Sequence, residues 1–417
     1  MHIHFLGIGG VAMGPLARLA RDAGHDVSGS DKQRSRYTDS IDGEGILVQI
    51  PSSAENLAVV HREHPIDWLV YTAAMPIESE ELRYAQQKRI PASKRDELIN
   101  QIIKEKHLKL IAVSGTHGKT NTTGMLVWAF KQLGIPVSWL IGSNITFGAN
   151  GHYDPQSEYL VYEADEFDRN FLSFYPEESV IPSVDYDHPE TYSSVDEYKR
   201  AFREFVNQSK RTYLWEETKQ YLEVESDRIL EVAYPTTRSS DLKLPGRMTR
   251  RNAGLVANLL ETVFSKERSE VLSALASFPG TERRMEQVAH GIISDYAHHP
   301  TEIRAAVQAA REMNERVVAV YQPHQNRRQR HLLNEYKDCF AGIEKVLWLP
   351  TYLSREPATD IMPPEQLIGA LSRPEVAEIA DMNDDLRVAI DRYRADGALI
   401  LLMSAGDLDD WVRCQWL

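Results

Sequence analysis

The clearest chemistry in the sequence lies in Gly115-Thr116-His117-Gly118-Lys119-Thr120. The N–H groups of a glycine turn, at the positive start of a helix, cradle phosphate oxygens. Lys119 would reach the β/γ oxygens, and the Thr120 hydroxyl would bind Mg2+. The longer phosphate-loop pattern has a glycine five residues before Gly118. Val113 stands there, so this is a shorter form. A second group, Glu163-Ala164-Asp165-Glu166, brings carboxylates of the kind that hold Mg2+ or a water beside such a loop. His188 follows within the acidic run Asp185-Tyr186-Asp187-His188-Pro189-Glu190 and reads either as a surface histidine or as a metal ligand. A third group opens the chain: Gly7, Gly9 and Ala12 fit G-x-G-x-x-G/A, and Asp31 lies where a ribose-binding acid belongs. Both a dinucleotide, as in an NAD-dependent dehydrogenase, and a UDP-type ligand satisfy that pattern.

Elements of matching period must carry these groups. Ile3–Leu6 reads as a strand entering the glycine opening. A helix with Leu16, Leu19, Ala20 and Ala23 inward follows, and then the strand Asp26–Asp31. Trp68–Met75 reads as a buried strand ending in small residues, suited to a ligand passing close. Ile111-Ala112-Val113 is a strand into the phosphate loop. Met125, Leu126, Ala129, Phe130 and Leu133 make the apolar face of the helix after it, stopped by Gly134. Tyr159–Tyr162 and Val180–Val184 are further strands. Tyr198–Ser209 is a helix whose stripe is core, and residues 210–244 read as irregular. Asn252 sits at a helix start, where it caps the helix or bonds a base.

Beyond Phe278, the pattern of apolar strand and polar loop repeats. Arg283 and Arg284 follow a turn. Asp295, His298 and His299 follow Ile292–Ser294, and neighbouring histidines point different ways. Gln322-Pro323-His324 follows Val317–Tyr321, and Gly406-Asp407 follows Leu399–Met403. Buried strands alternating with helices mean parallel sheets with ligands at their C-terminal ends. The expected fold is α/β in three domains, each a largely parallel sheet flanked by helices, over 1–100, 101–277 and 278–417. The first and third are Rossmann-like, and the second is a phosphate-loop ATPase domain.

The bulk numbers agree. A length of 417 residues suggests two or three domains, and 42% apolar residues is ordinary for a globular core. A net charge of −14 disfavours nucleic acid or an anionic membrane as a partner. The two cysteines, Cys339 and Cys414, build neither a disulfide framework nor a metal site, which fits a cytoplasmic protein. No apolar run reaches a membrane span.

In their order along the chain, these motifs resemble the Mur ligase family. The resemblance covers nearly the whole length and rests on Gly9-Gly10 with Met13, Gly115–Thr120, Glu163–Glu166, Asp187-His188, Arg283-Arg284, Asp295–Glu302, Gln322-Pro323-His324 with Arg328, and Ala405-Gly406-Asp407. It implies an ATP-dependent, ADP-forming ligase that joins an amino acid, expected to be L-alanine, to the carboxylate of UDP-N-acetylmuramate through an acyl phosphate. A recycled peptide is the alternative acceptor. It further implies UDP-sugar contacts from Gly7, Gly9, Gly10, Met13, Ser30, Asp31, Thr72 and Ala73. ATP contacts would come from Gly115 to Thr120 with Asn252, Arg283 and Asp295. Mg2+ would be held by Thr120, Glu163 and His188, and Lys119, His188, His298 and Arg328 would do the catalytic work. A monomer or weak homodimer is expected. The chain departs from the family pattern at Pro182-Ser183, Met248-Thr249 and Gln325. The stretch from Trp215 to Gly246 is short, so a trimmed middle domain is expected.

Overall fold

The structure is a computed structural model that describes residues 1–416 apart from Ala73, Ala74, Ile77, 232–241, Arg355 and Asp360. It contains three sheets, each largely parallel and flanked by helices. The first has five parallel strands in the order Leu47–Gln49, Asp26–Ser30, His2–Leu6, Trp68–Tyr71, Ala92–Lys94. His2–Leu6 is wholly buried, as a central strand covered on both faces must be.

The second sheet runs Ile229–Glu231, Arg211–Leu214, Glu178–Ile181, Lys109–Val113, Tyr159–Glu163, Ser138–Leu140, Gly151–His152, with only the last pair antiparallel. Two strands and one helix (Glu216–Leu222) stand between residues 211 and 231 of the segment expected to be irregular, and residues 232–241 of it lie outside the described residues. Charged neighbours masked a short strand whose Thr212, Tyr213 and Leu214 are buried against the sheet.

The third sheet places Ile292–Asp295, Leu399–Ser404, Val317–Gln322, Lys345–Trp348 and Ala377–Ile379 in parallel order, with Glu286–Ala289 antiparallel at one edge. The chain forms two compact units. One holds the first two sheets and the segment from Asn252 to Pro279, and the other holds the third sheet with residues 242–251. Asn252 is not a helix cap: its helix begins five residues earlier, at Arg247, and runs to Phe264. No helix among the described residues is long and apolar enough to cross a membrane.

Within the first unit, backbone meets backbone where the two sheets adjoin. A side-chain carbon on Gly151 would lie 1.9 Å from the carbonyl oxygen of Pro15, so only glycine fits. Beside it, buried Arg18 donates to Asn150 at 3.0 Å and pairs with Glu44 at 2.6 Å.

Candidate active site

The phosphate loop lies between the strand Lys109–Val113 and the helix Lys119–Gln132. Gly115 (φ +141°) and Gly118 (φ +86°) hold backbone angles that side chains resist. A side-chain carbon on Gly115 would come 2.5 Å from the Ser183 carbonyl oxygen, and one on Gly118 would come 2.8 Å from the Asn252 amide. The N–H of Thr116 donates to the Ser183 carbonyl at 3.0 Å. The Ser183 hydroxyl accepts from the His117 N–H at 3.1 Å and donates to the His117 carbonyl at 3.0 Å. Buried Thr116 bonds the Asp185 carbonyl and the Tyr198 hydroxyl, both at 2.7 Å. The loop's shape is thus held by the protein's own hydrogen bonds.

Val113 and Glu163 are register partners, which brings the strand after the loop up to the helix start. Thr120 donates to Glu163 at 2.7 Å, and the Gly142 N–H donates to the other carboxylate oxygen at 2.8 Å. Two adjacent oxygen ligands of this hardness fit Mg2+. Lys119 donates to the Gly115 carbonyl at 2.6 Å and pairs with Glu166 at 2.7 Å. Burial pushes the Lys119 ammonium down, but the charges of Glu166 and Asp165 outweigh it, and the net shift is upward. Burial likewise raises Glu166, against the pull of Lys119. At 2.7 Å, with a carbonyl also on the ammonium, the charged pair is the state the geometry supports. His188, at φ +57°, lies 3.7 Å from Glu166 and 3.1 Å from Glu190. Glu166 therefore sits between the lysine and the histidine.

The glycine opening is built by its own backbone. The N–H of Gly7 reaches the Ser30 carbonyl at 2.8 Å, and the N–H of Gly10 reaches that of Gly7 at 3.0 Å. Asp31 accepts from Gly9 N–H at 2.9 Å and from Lys32 N–H at 2.7 Å, so both its oxygens brace the turn. Ser30 is buried and donates to Glu81. Met13 is buried in the core beside the opening. Thr72 follows the strand Trp68–Tyr71 at the same sheet end, and Ala73 lies outside the described residues.

In the second unit, Arg283 and Arg284 lie over the Tyr296 ring at 4.8 and 5.0 Å. Asp295 accepts from the N–H groups of Met285 at 2.9 Å and Ala297 at 2.8 Å. Burial pushes its carboxyl up to about 6, against Arg284. His298 lies 3.0 Å from the Tyr296 carbonyl, and burial lowers it to about 3, with Arg328 and His324 adding to the effect and Glu302 opposing. His299 caps the helix Pro300–Met313, its ring nitrogen accepting from the Thr301 N–H at 3.2 Å. The His298 and His324 rings are 5.4 Å apart, and His324 stacks on Tyr352 at 5.9 Å. Gln325 bends the chain at φ +62°, its N–H on the Tyr352 carbonyl at 2.8 Å.

Residues 2–107 match the Mur ligase family, catalytic domain; residues 113–234 match the Mur ligase middle domain; residues 283–406 match the Mur ligase, glutamate ligase domain. The chain is 30% identical to the UDP-N-acetylmuramate–L-alanine ligase of Clostridium perfringens over 97% of this chain and 95% of that one. The enzyme of the same name from Clostridium acetobutylicum is also 30% identical, with the same coverage. The chain belongs to the Mur ligase family. Its fold is similar to the Thermotoga maritima UDP-N-acetylmuramate-alanine ligase structure, with a TM-score of 0.79, 24% identity, and 99% and 98% of the two chains covered. A murein peptide ligase from Psychrobacter arcticus follows at 0.65 and 22%, covering 99% and 97%.

Three residues at this Mur ligase site have no individual role in the sequence reading. Glu166 stands there only within an acidic group expected to hold Mg2+ or a water, Ser183 is a departure from the family pattern, and Tyr198 only opens a helix. The signal for Glu166 is the third acid of Glu163-Ala164-Asp165-Glu166, which needs a charged partner once buried. A hydroxyl such as those of Ser183 and Tyr198 shows its partner only in three dimensions.

Proposed function

We propose that this Mur ligase joins L-alanine to the carboxylate of UDP-N-acetylmuramate, converting ATP to ADP and phosphate. The observation that carries this is the phosphate loop with Lys119, and Thr120 on Glu163 at 2.7 Å, in a chain at 30% identity to ligases of that name along nearly its whole length. Residues 1–100 would take the UDP-sugar, 101–277 the ATP, and 278–417 the amino acid.

The chemistry follows from the charges. A carboxylate oxygen attacks the γ-phosphorus, and the bond to the bridging oxygen of ADP breaks. The amine of alanine then attacks the acyl phosphate carbon. Phosphate leaves, the nitrogen loses a proton, and an amide remains. The first step brings two anions together, so cations aimed at the phosphoryl group set the rate. Lys119 supplies one. Thr120, Glu163 and His188 would hold Mg2+, which supplies further positive charge when bound. The loop N–H groups orient the phosphates, and Ser183 and Thr116 keep those groups aimed. Arg328, a planar fork, suits a carboxylate or phosphate oxygen. His298, neutral at working pH, serves as a hydrogen-bonding group for the incoming amine.

The test is phosphate release by purified protein with ATP, Mg2+, UDP-N-acetylmuramate and L-alanine. Release should need all four components. No release above the control without amino acid would refute the reading, and faster turnover with a tripeptide would move the acceptor to a peptide.

A further inference from the structure

The Lys119 ammonium donates to the carbonyls of Gly115 at 2.6 Å and Thr116 at 3.3 Å, and it lies 2.7 Å from the Glu166 carboxylate as an ion pair. A phosphate that engages Lys119 therefore competes with these three oxygens. Two are carbonyls of the loop itself. The third is a carboxylate with a side-chain exposure of 1%.

The backbone fixes that carboxylate. The Tyr192 hydroxyl donates to the Glu166 carbonyl at 2.6 Å, and the Arg169 N–H donates to it at 3.1 Å. The next turn holds two consecutive non-glycine residues, Asp168 and Arg169, at φ +53° and +56°. That strained conformation persists because it is tied down, Asp168 to Lys94 at 2.9 Å and Arg169 to Glu197. Glu166 is thus the rigid member of the pair, and the long Lys119 side chain is the one that can move.

We infer that Glu166 is the resting counter-ion of Lys119, a positioning residue from which incoming nucleotide takes the lysine and to which departing ADP returns it. This rests on the nucleotide reading of the loop. It gives Glu166 a part in product release as well as binding. Each turnover exchanges the ammonium between a fixed carboxylate and a mobile phosphate. The pair also keeps the ammonium compensated while the pocket is empty, since a buried lone charge is costly.

A double-mutant cycle tests it, with ADP and Mg2+ titrated calorimetrically into the full chain, E166Q, K119M and the double variant. E166Q should bind ADP about tenfold tighter, as one buried anionic partner of Lys119 stops competing. ADP should leave it correspondingly more slowly in stopped flow. In the K119M background the Glu166 substitution should change nothing, because its effect runs through the lysine. Should E166Q not fold, E166D, with a shorter reach, should tighten binding in the same direction. Unchanged or weaker ADP binding by the Glu166 variants would overturn the proposal. So would tightening that persists without Lys119, which would mean plain repulsion. ADP binding by the unaltered chain tests the pocket, and the difference among variants tests Glu166.

Discussion

At the scale of single residues, the site is a set of paired charges and braced backbone. In the proposed reaction Lys119 is the charge aimed at the reacting phosphoryl group. Lys119→Ala should lower phosphate release by ~100-fold or more, and an unchanged rate would remove the loop from the chemistry. Ser183 acts differently, through two hydrogen bonds to the main chain of His117. Each is worth about 1 kcal/mol net. Ser183→Ala should therefore lower kcat/KM for ATP by about tenfold while the melting temperature moves little, and equal kinetics would show the loop holds its shape unaided. The phosphate-loop motif and its acids were legible in the sequence because their spacing along a strand and a helix start fixes them locally. Ser183 was not, because its partner His117 is 66 residues away in the chain.

At the scale of elements, strands and helices deliver these residues by register and close approach. The helix over 119–132 and the strand over 109–113 were legible from their apolar periodicity. The strand Arg211–Leu214 was not, because charged flanks hid three residues that only the sheet makes buried. Gly151 is a sharper case: nothing local marks it, yet Pro15 leaves no space for a side-chain carbon. Gly151→Ala should cost about 1–3 kcal/mol as overpacking, seen as a melting temperature lowered by several degrees. Gly43→Ala, with open space around it in the helix Arg36–Gly43, should be neutral or slightly stabilising. Equal melting temperatures for the two variants would contradict the backbone contact.

At the scale of the whole molecule, three largely parallel sheets flanked by helices stand where alternating apolar strands and helices foretold them. The chain's charge of −14 makes each cationic group local and specific. Asp295 shows how charge couples to folding. Its folded value of about 6 lies above that of a free aspartate, so the stability it contributes is complete below about pH 4 and is lost as pH rises through 6. The wild type should lose stability relative to Asp295→Asn between pH 4 and 7, and parallel melting curves across that range would contradict the burial. The activity profile should carry no limb from His298, held near 3. The central claim is that a pocket of cations lets a carboxylate attack a triphosphate. The direct measurement uses UDP-N-acetylmuramate with 18O in both carboxylate oxygens, ATP, Mg2+ and L-alanine, followed by mass analysis of the released phosphate. One 18O in each phosphate is the expected result, because the acyl phosphate carries that oxygen away with phosphorus. Phosphate free of the label would contradict it.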